Sequence, residues 1–178
     1  MKFDAIIIGG GHSGLERGMQ LLSGGKSCLA IARGESSRSL RDETYDYRAA
    51  CREFRRLGGE LFFGDSVATG EFSSDGRLLS VSTRNHGSST RFEADEFFLA
   101  TGSFFSGGLA ADMTHIYEPI FGLDVDCAPC RGDWLSPDFF GLQPFMKFGV
   151  RLDASGCALR GGAPAANLYP IGSIVSKL

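Results

Sequence analysis

The chain has 178 residues, with 18 Lys+Arg against 21 Asp+Glu and a formal net charge of -3. That length favours one domain with a real core, and 43% apolar with 22% charged residues excludes a disordered or fibrous chain. The small negative charge gives no support to a general nucleic-acid binder, while 25 glycines in 178 residues, about 14% against a usual share of roughly 7%, ask for an explanation in turns and close backbone approaches.

The chain opens on Phe3 to Ile8, a short continuous apolar run that predicts a buried strand. It is too short for a signal-peptide core or a membrane span, and no other apolar run approaches about 18 residues. Gly9-Gly10-Gly11-His12-Ser13-Gly14 follows, and then Leu15, Met19 and Leu22 recur at helical spacing up to Gly24-Gly25. Cys28 to Ala32 predicts a second buried strand, which completes a βαβ unit. Gly34 to Asp46 is polar and reads as loop.

Tyr47, Ala50, Cys51, Phe54 and Leu57 predict an amphipathic helix closed by Gly58-Gly59. Its other face carries Arg48, Arg52, Arg55 and Arg56, ordinarily a solvated face and alternatively a site for an anionic partner. Short strands are expected at Glu60 to Phe63, Ser66 to Phe72, Leu78 to Arg84, Thr90 to Ala94 and Phe97 to Thr101. Ser74-Asp75-Gly76 and Asn85-His86-Gly87 mark turns between them. Residues 109–147 read as an irregular inserted segment rich in aromatics, Pro and Gly. Phe148 to Asp153 and Leu168 to Ile171 predict further strands, the second ending in Gly172-Ser173. The expected fold is α/β: a single Rossmann-like dinucleotide-binding domain with a parallel sheet plus a β-meander, its core drawn from 1–35, 48–108 and 148–178.

The chemistry concentrates at the first turn. Gly9, Gly11 and Gly14 form a G-x-G-x-x-G directly after a buried strand and at the start of a helix, the context that motif requires. Gly9 permits the turn, Gly11 lets a pyrophosphate approach the backbone, and Gly14 lets helix and strand pack closely. Gly10 and Ser13 lie in the same turn, whose helix N-terminus favours an anion. A ribose-binding acid is expected roughly 18 residues after the last glycine. Arg33 stands there, followed by Gly34 and Glu35. Either Glu35 reaches the ribose, or Arg33 contacts ribose or phosphate itself; a 2′-phosphate, and hence NADP, is the third reading.

Gly64-Asp65-Ser66-Val67, the β-meander and a buried strand closing on Ala100-Thr101-Gly102 resemble the FAD-binding domain of two-dinucleotide-binding flavoproteins. The resemblance implies that Val67 contacts the adenine side, that Thr101-Gly102 passes the cofactor, and that Gly172-Ser173 lies beside the flavin, with Ser in the place of an acid. More narrowly, Gly102-Ser103-Phe104-Phe105-Ser106-Gly107-Gly108-Leu109 is similar to the G-S-F-F-S-G-G-L signature of the B subunits of anaerobic glycerol-3-phosphate dehydrogenase. Glu118 to Val125, Arg131-Gly132-Asp133-Trp134, Asp138-Phe139-Phe140 and Gln143-Pro144 continue it in order, as do Thr83 to His86 and the opening Phe3 to Gly11.

This resemblance covers residues 1 to about 36 and about 48 to 173. Ser36 to Tyr47 stand where the family carries a domain-sized middle region, and the chain stops at Leu178 where the family continues into a Gly-rich loop and a helix. A shortened form that keeps the cofactor-binding parts is therefore expected, and a non-catalytic nucleotide- or partner-binding subunit is the alternative.

The family implies a flavin, FAD by the dinucleotide geometry or FMN. It implies oxidation of sn-glycerol 3-phosphate to dihydroxyacetone phosphate, with electrons passed toward a quinone through partner A and C subunits. A homo-oligomer is a further expectation. The location implied is the cytoplasm, where scattered cysteines stay reduced, with peripheral attachment to the inner membrane through the partners. A proton acceptor would be needed, and His12, His86 and His115 are candidates by residue type only, so no catalytic residue is assigned. Cys127-Ala128-Pro129-Cys130 lacks the second ligand pair of a structural zinc site, and packed or incidental cysteines are the ordinary reading. Phe104, Phe105, Phe139, Phe140, Phe145 and Phe148 are expected in the core or at a subunit contact.

Overall fold

Strand β1 (Lys2–Ile8) is the centre of the molecule, and its continuous apolar run follows from burial on both faces. Ile6 and Ile8 enter a core with Leu29, Ile31, Phe97 and Leu99, whereas Ala5 and Ile7 meet Leu15, Phe54 and Phe98 on the opposite face. The computed structural model describes residues 2–33, 46–84 and 88–178.

Helix α1 (His12–Ser23) leaves β1 through the glycine turn and returns to β2 (Cys28–Ala32), which pairs parallel with β1 from Ala5↔Cys28 to Ile8↔Ile31. Helix α2 (Tyr47–Arg56) starts at Asp46, whose side chain accepts from Ala49 N–H at 3.0 Å. It packs beside α1 by setting Phe54, fully buried, against Gly18 and Gly59. A Cβ on Gly18 would stand 2.4 Å from the Phe54 ring, and one on Gly59 2.3 Å from it, so both glycines are close-approach residues. The arginine-rich face is exposed: Arg56 pairs with Glu53 at 2.6 Å, and the Arg55 guanidinium lies 5.5 Å from the Phe63 ring centre.

Strand β3 (Glu60–Phe63) adds parallel to β2. Strands β4 (Val67–Phe72), β5 (Leu78–Thr83) and β6 (Arg91–Leu99) form the antiparallel meander. The sheet runs β3-β2-β1-β6-β5-β4. The two strands expected at Thr90 to Ala94 and Phe97 to Thr101 are one. Phe92 and Ala94 alternate with exposed Arg91, Glu93 and Asp95 while the strand pairs with β5, and Phe97-Phe98-Leu99 then become fully buried where the other neighbour is parallel β13 (Leu168–Pro170). One strand serves two environments, and the change of pattern at Asp95-Glu96 is a change of neighbour.

Short antiparallel pairs fill the remainder: β7 (Ala110–Ala111) with β8 (Ile116–Tyr117), β9 (Val125–Asp126) with β10 (Gly149–Val150), and β11 (Leu159–Arg160) with β12 (Ala163–Pro164). The strand expected over Phe148 to Asp153 shrinks to β10: Val150 adds one bridge to Val175, and beyond it Leu152 makes only a single bridge, to Ala158. Residues 109–147 are mostly irregular, yet Leu109, Phe121 and Leu123 enter the main core. Phe148 is buried, whereas Phe139 and Phe140 are 84% and 95% exposed. No helix among the described residues is long and apolar enough to cross a membrane.

Candidate functional site

A cleft of about 590 Å³ opens at the carboxyl ends of β1, β2 and β6, where an open α/β sheet binds its ligand. Its floor is Gly9, Gly10 and Gly11, one wall is Ala32, Arg33 and Val67, and the other is Thr101 with Phe105 and Ser106.

The floor is built by steric exclusion. Gly9 adopts φ +109°, and a Cβ there would stand 2.4 Å from the Ala100 carbonyl oxygen; a Cβ on Gly14 would stand 2.3 Å from the Gly9 oxygen. These contacts press β1, α1 and the end of β6 together. Gly11 differs, since a Cβ there meets nothing within 4 Å and would protrude into open space. Gly11 is also the N-cap of α1 and supplies no side-chain cap. The N-cap residue of this twelve-residue helix therefore offers its first-turn N–H groups no side-chain acceptor at the floor of the cleft.

The other strand ends meet the same turn. A Cβ on Gly172 would lie 2.6 Å from Ser13 Oγ, and one on Gly102 would lie 2.4 Å from Ser106 Oγ and 3.6 Å from Ser173 Oγ. Ser13, Gly102, Ser106, Gly172 and Ser173 thus crowd one edge of the floor. Thr101 Oγ1 is buried there without a hydrogen-bond partner, an orphan that a ligand oxygen would satisfy.

Of the residues expected from sequence, Gly9, Gly10, Gly11, Arg33, Val67 and Thr101 line the cleft, and Ser13, Gly14, Gly102, Gly172 and Ser173 stand beside its floor. Gly34 and Glu35 lie outside the described residues. Sequence reasoning missed Asp65, Ser106, Gly107 and Ile120 as lining residues. Asp65 and Ser106 sit inside the Gly64 to Val67 and Gly102 to Leu109 motifs, but spacing along the chain carries no sign of their exposure to the cleft.

Ile120 is placed by Glu118, which is almost fully buried and accepts from Ile120 N–H at 2.9 Å and Phe121 N–H at 2.7 Å. Burial pushes the Glu118 carboxyl above its ordinary pKa, against these hydrogen bonds, which act the other way.

The histidines stand apart. His12 Nε2 lies 3.5 Å from Glu16 on the exposed side of α1, and exposed His115 is next to Asp112 and Thr114. His86 lies outside the described residues. Cys127 is half-buried and Cys130 exposed. Burial and the neighbouring Asp126 raise the Cys127 thiol pKa, and no group of three or more metal-ligating side chains occurs among the described residues.

A family model described as "FAD binding domain" matches residues 44–178. The B subunit of the anaerobic glycerol-3-phosphate dehydrogenase of Yersinia enterocolitica is 40% identical over 129 residues, covering 72% of this chain and 30% of that protein. The protein of the same name from Vibrio vulnificus strain YJ016 is 43% identical over 127 residues, covering 70% of this chain and 29% of that protein. The chain thus spans less than a third of the length of these curated relatives. A geranylgeranyl bacteriochlorophyll reductase-like protein from Thermoplasma acidophilum superposes with a TM-score of 0.50 at 10% identity, over 64% of this chain and 43% of that one. That likeness speaks to the fold alone.

Proposed function

Because the chain belongs to the FAD binding domain family and its cofactor is FAD, we propose that it is the FAD-holding part of a dehydrogenase acting on sn-glycerol 3-phosphate. The observation that carries the cofactor half is the floor of the cleft: an uncapped helix N-terminus, an unfilled space at Gly11 and an orphaned Thr101 hydroxyl, all of which fit a dinucleotide. The substrate half rests on identities of 40% and 43% to proteins named as the B subunits of anaerobic glycerol-3-phosphate dehydrogenases.

In this reading the first turn of α1 and Gly11 receive the pyrophosphate, Val67 lies along the adenine, and Thr101 with Gly102 borders the chain of the cofactor. Gly172 and Ser173 close the flavin end. The flavin, when bound, supplies a two-electron acceptor for the alcohol of the substrate, which leaves as dihydroxyacetone phosphate. The protein's own work is to fix that acceptor in place and to exclude water from it. The reading extends to assembly with A and C subunits, electron delivery toward a quinone, and a place on the cytoplasmic side of the membrane.

The test is spectroscopic. The purified chain with added FAD is expected to retain a yellow chromophore through gel filtration and to bleach anaerobically with sn-glycerol 3-phosphate. A chain that stays colourless overturns the cofactor reading, and a yellow chain that never bleaches, even with partner subunits present, overturns the substrate reading.

A second reading has one observation in its favour. The described residues that line the cleft carry Asp65 and Arg33 but no histidine. On that reading the chain holds the nucleotide and another polypeptide supplies the proton acceptor, so turnover by this chain alone would reject it.

A further inference from the structure

The tip of β2, where a dinucleotide fold ordinarily offers its ribose-binding acid, carries Arg33. Its guanidinium reaches the opposite lip: Arg33 Nη1 is 3.2 Å from where a Cβ on Gly107 would stand. A carboxylate does reach the same wall of the cleft, from the adjacent strand. β3 pairs with β2 as far as Ala32↔Phe63, and Gly64 N–H then donates to the Ala32 oxygen at 3.0 Å. This brings the next residue, Asp65, beside the tip of β2.

Asp65 is 7% exposed and lines the cleft near Ala32 and Val67. One of its oxygens accepts from Ser66 N–H at 2.7 Å. The other has no donor among the described residues, and no Lys or Arg among them pairs with the carboxylate. A carboxylate withdrawn from water with one hydrogen bond is short of donors. The ligand proposed for this cleft carries neutral donors at that end, the hydroxyls of the adenosine ribose.

We infer that Asp65 accepts hydrogen bonds from the ribose hydroxyls of the adenosine half of the cofactor, in the role usually held at the tip of β2. This rests on the reading of the cleft as a dinucleotide site. It also explains how an arginine can occupy the β2 tip without calling for a 2′-phosphate, since the acid has moved one strand over.

The experiment titrates the full chain calorimetrically with ADP, 2′,3′-dideoxy-ADP, inosine diphosphate and FMN. The unmodified chain is expected to bind ADP roughly ten- to a hundredfold more tightly than the dideoxy analogue, as for a hydrogen bond to a charged acceptor, and to bind inosine diphosphate like ADP. Asp65→Asn, which keeps the acceptor for Ser66, is expected to lose that preference and to bind FMN as before. Glu35→Gln is expected to keep it.

Equal binding of ADP and its dideoxy analogue by the unmodified chain overturns the inference, whether or not the variant folds. So does a preference that survives in Asp65→Asn, one that vanishes in Glu35→Gln, or a loss seen with inosine diphosphate instead. A chain that binds none of the four overturns the dinucleotide reading itself, a result distinct from all of these.

Discussion

Asn167 grips the peptide of Leu78 from both sides: its Oδ1 accepts from Leu78 N–H at 2.8 Å and its Nδ2 donates to the Leu78 oxygen at 2.9 Å. The same Nδ2 donates to the Asp95 oxygen at 3.0 Å. One buried amide therefore ties β5 and β6 of the meander to the residue that precedes β13, and so sets where Gly172 and Ser173 arrive.

Asn167→Ala leaves the two buried backbone groups of Leu78 without this partner, while the Asp95 oxygen still accepts from Arg77 at 2.9 Å, and is expected to cost about 3 kcal/mol. Chemical denaturation checks this. A loss below about 1 kcal/mol would mean that water or another side chain replaces the amide.

Gly9 and Gly11 are expected to fail in different ways. Gly9→Ala combines positive φ with a contact to the Ala100 oxygen and should destabilise the fold by more than about 1 kcal/mol. Gly11→Ala meets nothing in the protein, so its melting temperature should stay near that of the parent while FAD affinity falls at least tenfold. Parallel melts and FAD titrations separate the two, and a Gly11→Ala protein with parental affinity would remove the phosphate from that turn.

Glu118 gives a pH signature of defined sign. Its folded pKa is raised above the ordinary 4.5 by burial, so the protonated form is favoured by folding. Its contribution to stability is full below about 4.5 and is lost as pH rises through the folded pKa. Stability of the parent relative to Glu118→Gln should therefore decline over that window and level off above it. A parent that gains on the variant with rising pH would contradict the assignment.

Thiol reactivity should follow burial. Cys28 is buried at the start of β2, which pushes its pKa up to about 12, whereas Cys130 is exposed. Iodoacetamide at pH 8 should label Cys130 under native conditions and Cys28 only in denaturant. Mass spectrometry of the digest reads both sites, and native labelling of Cys28 would place that strand nearer the surface.

Much of the site was legible along the chain because its parts obey local rules. The Phe3 to Ile8 run, the glycine turn and the Leu15, Met19, Leu22 spacing define β1, the phosphate turn and α1 through steric and periodic constraints that act within a few residues. Cys28–Ala32 and Glu60–Phe63 were readable to the residue for the same reason. The single strand Arg91–Leu99 was not, because its pattern changes where its neighbour changes from β5 to β13, and pairing partners far along the chain leave no local mark.

Two things were decided only in three dimensions. Sequence by itself determined that Arg33 occupies the slot of the ribose acid, because spacing within a βαβ unit is a local property. That Asp65 is buried on the same wall, and that Arg33 reaches across to Gly107, follows from the pairing of β3 with β2 and from the loop after β6. Burial and long-range approach are properties of the packed sheet, and they turn a missing acid into a displaced one.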